Sequence, residues 1–329
     1  MLRQPAAVEA TLAALAVDDA LRGVAERFRA GAFRRVVLTG MGSSLAALHP
    51  LAIRLVSHGA IVIDASELIH AHARLIDEGT LVVAVSQSGR SAEIVRLVDG
   101  TLRPGALVGV TNTAGSPLAT AATATLLTHA GEEATVSCKT YVAGLAALVL
   151  LGDLLSGSPF ATALAAAPAA MKTYLDRWEE HVAELIALTA GIRDVFVAGR
   201  GASVAAAYTA GLILKESTRL HAEGMTSAAL RHGPLEMAAA HVLALVYEGD
   251  AAVAPLNAAL VADLVRAGAR AFLVGAAATH ACFRLPIVDP AARPLLEILP
   301  AQMLSLALAA HAGIEAGRFV HATKVTATE

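Results

Sequence analysis

The sequence predicts an α/β protein of two tandem doubly wound domains, each a parallel sheet with flanking helices. Three observations carry this. Short β-branched runs closing on glycine or serine alternate with Ala-rich helical stretches, the pattern of parallel strands joined by crossover helices. A length of 329 residues suits two ordinary domains better than one. A strand, glycine turn and helix start also occur twice: Val37-Leu38-Thr39-Gly40-Met41-Gly42-Ser43-Ser44 aligns with Phe196-Val197-Ala198-Gly199-Arg200-Gly201-Ala202-Ser203, as tandem copies of one unit would.

In order along the chain, the first half offers strands at Val36–Thr39, Ile61–Asp64, Leu81–Ser86 and Leu107–Thr111, with helices after Ser43, Arg90 and Ser137. The second offers strands at Val195–Ala198, Val242–Tyr247 and Ala271–Val274. Between them, Gly152–Pro159 is rich in Gly, Ser and Pro, and a helical stretch from about Ala161 to Ala190 follows. The expected organisation is an N-terminal helical segment over 1–30, a first domain over 31–155, linking helices over 156–190, and a second domain with a C-terminal tail over 191–329.

Composition narrows the function classes. The chain is 56% apolar, but alanine, leucine and valine fall in short runs. The longest, Tyr141–Leu151 and Met303–Ala310, are shorter than the roughly 18–20 residues that span a bilayer, so no membrane partner is expected. Met1-Leu2-Arg3-Gln4-Pro5 lacks the features of a secretory signal, and cytoplasmic residence is the expectation. Cys138 and Cys282 lie too far apart in sequence to suggest a disulfide framework or a paired-cysteine metal site. A formal charge of −3 and 4% aromatic residues argue against a nucleic-acid surface. His70-Ala71-His72 has no nearby Cys or Asp partner, so no metal is expected. With no dinucleotide fingerprint or Walker loop, no cofactor is expected either. A small ligand remains.

The most informative segment is Leu81-Val82-Val83-Ala84-Val85-Ser86-Gln87-Ser88-Gly89-Arg90-Ser91-Ala92-Glu93. An apolar strand there runs into hydroxyls, an amide and a glycine before a helix. Backbone N–H groups at a helix start carry partial positive charge, and Ser86, Ser88 and Ser91 add donors able to wrap a phosphate. The same residues also suit an ordinary turn and helix N-cap, so spacing alone leaves both readings open. Gly40–Ser44 is a weaker signal, because a tight strand-to-helix connection needs the same residues.

Ser86-Gln87-Ser88-Gly89-x-Ser91 resembles the Ser-Gln-Ser-Gly-x-Thr/Ser signature of the sugar-isomerase (SIS) domain family. Val110-Thr111-Asn112-Thr113-x-Gly115-Ser116-x-Leu118-Ala119 and Thr128-His129-Ala130-Gly131-x-Glu133 continue the resemblance. Ser66-Glu67 also resembles a family segment. In the second half, Leu214-Lys215-Glu216-Ser217, His221-Ala222-Glu223, Arg231-His232-Gly233-Pro234-Leu235-Glu236 and the ending Lys324-Val325-Thr326-Ala327-Thr328-Glu329 are similar to the isomerase half of the glutamine–fructose-6-phosphate aminotransferases.

This resemblance implies two SIS domains and an enzyme acting at C1 and C2 of a sugar 6-phosphate. By resemblance, Ser44, Ser86, Gln87, Ser88 and Ser91 hold the phosphate, with Val136 and Ser137 near the sugar hydroxyls. Glu216 shuttles a proton between C1 and C2, His232 opens the ring, and Lys324 faces the carbonyl carbon. The residue types suit these tasks: a carboxylate can exchange a proton near neutral pH, a histidine titrates there, and a lysine can form an imine with a ketose. The family's histidine comes from a neighbouring subunit, which implies a homodimer with shared active sites.

Each residue also has an ordinary reading: Glu216 as a surface acid beside Lys215, His232 as a loop cap before Gly233-Pro234, and Lys324 as a free charge in a tail. Departures from the aminotransferase pattern narrow the expected reaction. Ile213 stands where the family carries a lysine, Ala229 where it carries an acid, and Phe319-Val320 where it carries Pro-Arg. No glutamine-hydrolysing segment is visible. The expected activity is therefore a phosphosugar isomerase or amino-sugar-phosphate deaminase independent of glutamine. The alternatives are a fructosamine-6-phosphate deglycase and a non-catalytic phosphosugar sensor.

Overall fold

The computed structural model describes residues 1–158, 162–326 and 328. Pro159, Phe160 and Ala161 of the expected junction, and Ala327 and Glu329 of the tail, lie outside the described residues. Among the described residues, nine strands form two sheets in which all the pairings are parallel. The first sheet comprises β1 (Arg35–Gly40), β2 (Ala60–Asp64), β3 (Thr80–Val85), β4 (Ala106–Thr111) and β5 (Ala124–Leu127), in the order β2-β1-β3-β4-β5. The second comprises β6 (Asp194–Gly199), β7 (His221–Thr226), β8 (Val242–Tyr247) and β9 (Arg270–Val274), in the order β7-β6-β8-β9. This is the predicted doubly wound α/β class, with two parallel sheets and flanking helices.

Residues of β3, β4 and β8 are buried throughout, as befits strands covered on both faces. The sequence reading missed β5 and β7 for separate reasons. β5 has four residues, and β7, His-Ala-Glu-Gly-Met-Thr, is a polar edge strand in which only Ala222 is buried. In each sheet the first strand lies between the second and third, so strand order reverses beside it. Crevices at the carboxyl ends of such a reversal are where open α/β sheets bind ligands.

The repeated turn has the same backbone in both copies. Met41 sits at φ −127°, ψ 148° and Arg200 at φ −128°, ψ 154°, followed by Gly42 at φ 53° and Gly201 at φ 58°.

The chain divides into two compact units, which do not follow sequence order at the ends. One contains the first sheet, residues 6–165 together with 322–329; the other contains the second sheet, residues 166–321 with 1–5. The tail, placed by sequence order with the second domain, groups instead with the first sheet. Ala92 N donates to Thr326 O at 3.0 Å, and Lys324 Nζ to Thr135 O at 2.6 Å. In the other unit, Gln4 and Gln302 form a buried reciprocal amide pair at 2.7 and 3.0 Å. The expected linking stretch holds helices Ala167–Leu175 and Trp178–Leu188.

Helices Lys139–Ser156 and Arg293–Ala312 have 18 and 20 residues, longer than the apolar runs read from sequence and long enough by length and composition to cross a membrane. Their apolar windows are 83% and 78% buried inside the protein. A helix apolar on all sides needs such enclosure, and the protein core supplies it.

Candidate functional site

β3 ends at Val85, where the chain turns through Ser86–Ser91 into helix Ala92–Asp99. Ser86 N donates to Val110 O at 3.0 Å, and Asn112 N to Gln87 O at 3.0 Å, tying the loop to the end of β4. Ser86 Oγ accepts from Gly89 N at 3.2 Å and Ser88 Oγ from Arg90 N at 3.1 Å, so both help to build the turn. Gly89 takes φ 61°, and a Cβ there would lie 2.2 Å from Ser116 Oγ, so only glycine fits.

Ser91 is different. It occupies the N-cap position of helix Ala92–Asp99 at φ −59°, ψ 146°, yet its side chain makes no cap bond, and its Oγ is buried without a hydrogen-bond partner among the described residues. The two readings of the serine loop thus divide by residue: Ser86 and Ser88 do turn work, while the Ser91 hydroxyl has none among the described residues.

A pocket opens at the carboxyl ends of β1, β3, β4 and β5, and Ser44, Gln87 and Ser137 line it. Ser86, Ser88, Ser91 and Val136 belong to the two loops that supply Gln87 and Ser137. Sequence reasoning did not single out Ser43, Asn112, Thr128 and Thr140 of the lining. Asn112 has both amide ends engaged: Oδ1 accepts from Thr128 Oγ1 at 2.9 Å and Ala130 N at 2.8 Å, and Nδ2 donates to Gly131 O at 2.8 Å. The Val110–Ala119 motif contains Asn112, and the Thr128–Glu133 motif contains all three of its partners, which was the available signal.

Lys324 joins this group from the far end of the sequence. Besides the Thr135 carbonyl, its amine reaches Ser137 Oγ at 3.4 Å. The structure therefore brings Lys324, Ser137 and the serine loop into one unit.

Glu216 and His232 belong to the other unit. Glu216 is half-buried in helix Val204–Thr218, and His232 is an exposed C-cap after helix Ser227–Arg231. The helix carrying Glu216 lies directly on β7 because two glycines face each other there. A Cβ at Gly211 would lie 2.2 Å from Gly224 N, and one at Gly224 would lie 2.1 Å from Ala207 O. Ile213, at the family's lysine position, is 1% exposed and belongs to the core.

The second copy of the glycine turn is filled from within its own unit. Ser203 Oγ donates to Glu297 Oε1 at 2.7 Å, and Arg200 Nε to Asn257 Oδ1 at 3.2 Å. Burial pushes the Glu297 carboxyl up to about 7; Asp250 and Glu248 add to this, while the Ser203 hydrogen bond and Arg293 oppose it. The first copy's turn instead contributes Ser43 and Ser44 to the open pocket.

A doubly wound sheet with a serine-lined crevice at its strand reversal defines an open α/β protein whose crevice lies where that class binds ligands. The family model described as "SIS domain" matches residues 33–152, which contain this crevice, and the chain belongs to the SIS domain family. It is 32% identical to a glutamine–fructose-6-phosphate aminotransferase [isomerizing] of Thermococcus kodakarensis, over 89% of this chain and 53% of the relative. The chain thus spans about half the length of the curated relatives it matches. Among solved structures, it resembles the C-terminal domain of glucosamine-fructose-6-phosphate aminotransferase from Francisella tularensis, with TM-score 0.81, 21% identity, and 95% of each chain covered. It also resembles glucosamine-6-phosphate deaminase from Thermotoga maritima, with TM-score 0.77, 20% identity, and 93% of this chain and 95% of that chain covered. At these identities, the structural likeness speaks for the fold.

Proposed function

We propose that the protein is a phosphosugar isomerase or amino-sugar-phosphate deaminase acting at C1 and C2 of a sugar 6-phosphate, without glutamine, in the cytoplasm and as a homodimer with shared active sites. The observation that carries this reading is the buried, unpartnered Ser91 hydroxyl in the serine loop. A buried polar group without a partner costs about 1–3 kcal/mol, and a bound phosphate oxygen would relieve it.

In this reading, Ser44, Ser86, Gln87, Ser88 and Ser91 hold the phosphate, and Val136 and Ser137 border the sugar. His232 of one subunit protonates the ring oxygen of a sugar bound mainly to the other. Glu216 removes the proton from C2 of the open-chain aldose and returns it at C1. With an amino sugar the product of that transfer is a C2 imine, which water hydrolyses to ketose and ammonia. Lys324 faces the carbonyl carbon. Ile213, buried where the aminotransferases carry a lysine, favours isomerisation or deamination over transfer of nitrogen to the sugar.

The test is an NMR time course of the protein with glucosamine 6-phosphate. Appearance of fructose 6-phosphate with ammonia is the expected result, and Glu216→Gln should abolish turnover while phosphosugar binding persists. Full activity in that variant would remove Glu216 from the proton shuttle. Binding without reaction of any phosphosugar or phosphorylated fructosamine would favour a sensor, and release of an amino acid from the fructosamine a deglycase.

A further inference from the structure

Lys324 is held by the short loop before helix Lys139–Ser156, and that loop is in turn held by one carboxylate. Glu133 is half-buried, and its Oε2 accepts from Cys138 N at 2.9 Å, Thr140 N at 2.8 Å and Thr140 Oγ1 at 3.0 Å. Cys138, the N-cap residue of that helix, supplies no side-chain cap bond, so Glu133 supplies the acceptor. A negative charge suits this place, because the N-terminus of an 18-residue helix concentrates unpaired N–H groups and partial positive charge. Bonding back from position 133 to 138 and 140 closes the intervening residues into a ring. That ring contains Thr135, whose carbonyl accepts from Lys324 Nζ, and Ser137, whose hydroxyl lies 3.4 Å from the same amine.

We infer that Glu133 is a positioning residue for Lys324: by capping helix Lys139–Ser156, it fixes the Thr135 carbonyl and Ser137 hydroxyl that aim the amine. This rests on the reading of Lys324 as the group facing the sugar carbonyl, although the placement itself can be measured without any substrate. The phosphate loop lies on a separate segment, 86–91, so losing Glu133 should disturb the lysine and spare phosphate binding.

The experiment compares wild-type protein with Glu133→Ala and Glu133→Gln. In substrate-free protein, acetic anhydride labelling read by mass spectrometry follows Lys324 against the exposed Lys172 and Lys215. Lys324 should be labelled roughly fivefold faster in the alanine variant, the equivalent of about one lost hydrogen bond, with the two reference lysines unchanged. The glutamine variant, which keeps an acceptor oxygen in place, should fall between wild type and alanine. With glucosamine 6-phosphate, or whichever sugar phosphate proves to react, kcat should fall by about 100-fold in the alanine variant, since a small misplacement of a reacting group costs that much. Wild-type labelling of Lys324 in a folded Glu133→Ala protein would overturn the inference, whatever the activity. Should the alanine variant fail to fold, wild-type labelling and wild-type kcat in Glu133→Gln would overturn it equally. Faster labelling with unchanged kcat would uphold the placement and refute the role of Lys324 at the carbonyl.

Discussion

Ser91 Oγ and Glu297 Oε2 are both buried without a hydrogen-bond partner among the described residues, and they make opposite predictions. For Ser91 the missing partner is the proposed phosphate. Ser91→Ala should weaken fructose 6-phosphate binding at least about tenfold, as expected for a hydrogen bond to a charged group, while the melting temperature of the unliganded protein stays level or rises. Calorimetric titration decides this, and unchanged affinity would take Ser91 out of the phosphate set. For Glu297 the consequence is pH dependence. Its carboxyl titrates at about 7 in the folded protein against an ordinary 4.5, so between those values the folded state keeps a proton the unfolded chain has lost. Stability should therefore fall as pH rises from about 4.5 to 7 and level off above, by on the order of 3 kcal/mol. Melting curves across that range should flatten in Glu297→Gln, and an equally steep slope in that variant would assign the dependence elsewhere.

Among the elements, the contact of helix Val204–Thr218 with β7 is the least tolerant. Gly211 and Gly224 bring backbone against backbone, so any side chain must push the helix away. Overpacking typically costs 1–3 kcal/mol, and here the obstacle is main chain, which cannot rotate aside. Gly211→Ala is expected to lose about 3 kcal/mol in denaturant unfolding and, by shifting the helix that carries Glu216, most of the turnover. Wild-type stability would mean that the helix can slide along the strand at little cost. The element boundaries were unevenly legible in the sequence. The apolar runs of β1, β3, β4 and β8 announced themselves, whereas β7 is polar and is held by pairing with β6, which no local pattern reports.

For the whole molecule, the testable claim is that His232 serves the site of a neighbouring copy. His232 is exposed in the chain, whereas Lys324 is engaged by the 131–138 loop. Chains carrying His232→Ala and chains carrying Lys324→Ala should each be inactive. Co-refolded in equal amounts, they should regain about a quarter of wild-type activity, because half the dimers are mixed and each mixed two-fold dimer has one complete site. A mixture that stays inactive, with subunit exchange verified by mass, would place both residues in sites built by a single chain.

The sequence by itself determined the fold class, the repeated glycine turn and the serine loop, because strand periodicity, turn glycines and helix starts are local properties of a few neighbouring residues. It also pointed to Glu216, His232 and Lys324, but only through motif resemblance. Their ordinary readings as surface acid, loop cap and tail charge were equally compatible with the local sequence. Tertiary structure alone decided that the 322–329 tail groups with the first sheet, that Ser91 is not a helix cap, that Asn112 staples two loops, and that the second glycine turn is filled by Glu297. Each of these is a contact between residues far apart in the chain or a hydrogen bond left unmade, and neither leaves a mark on sequence spacing.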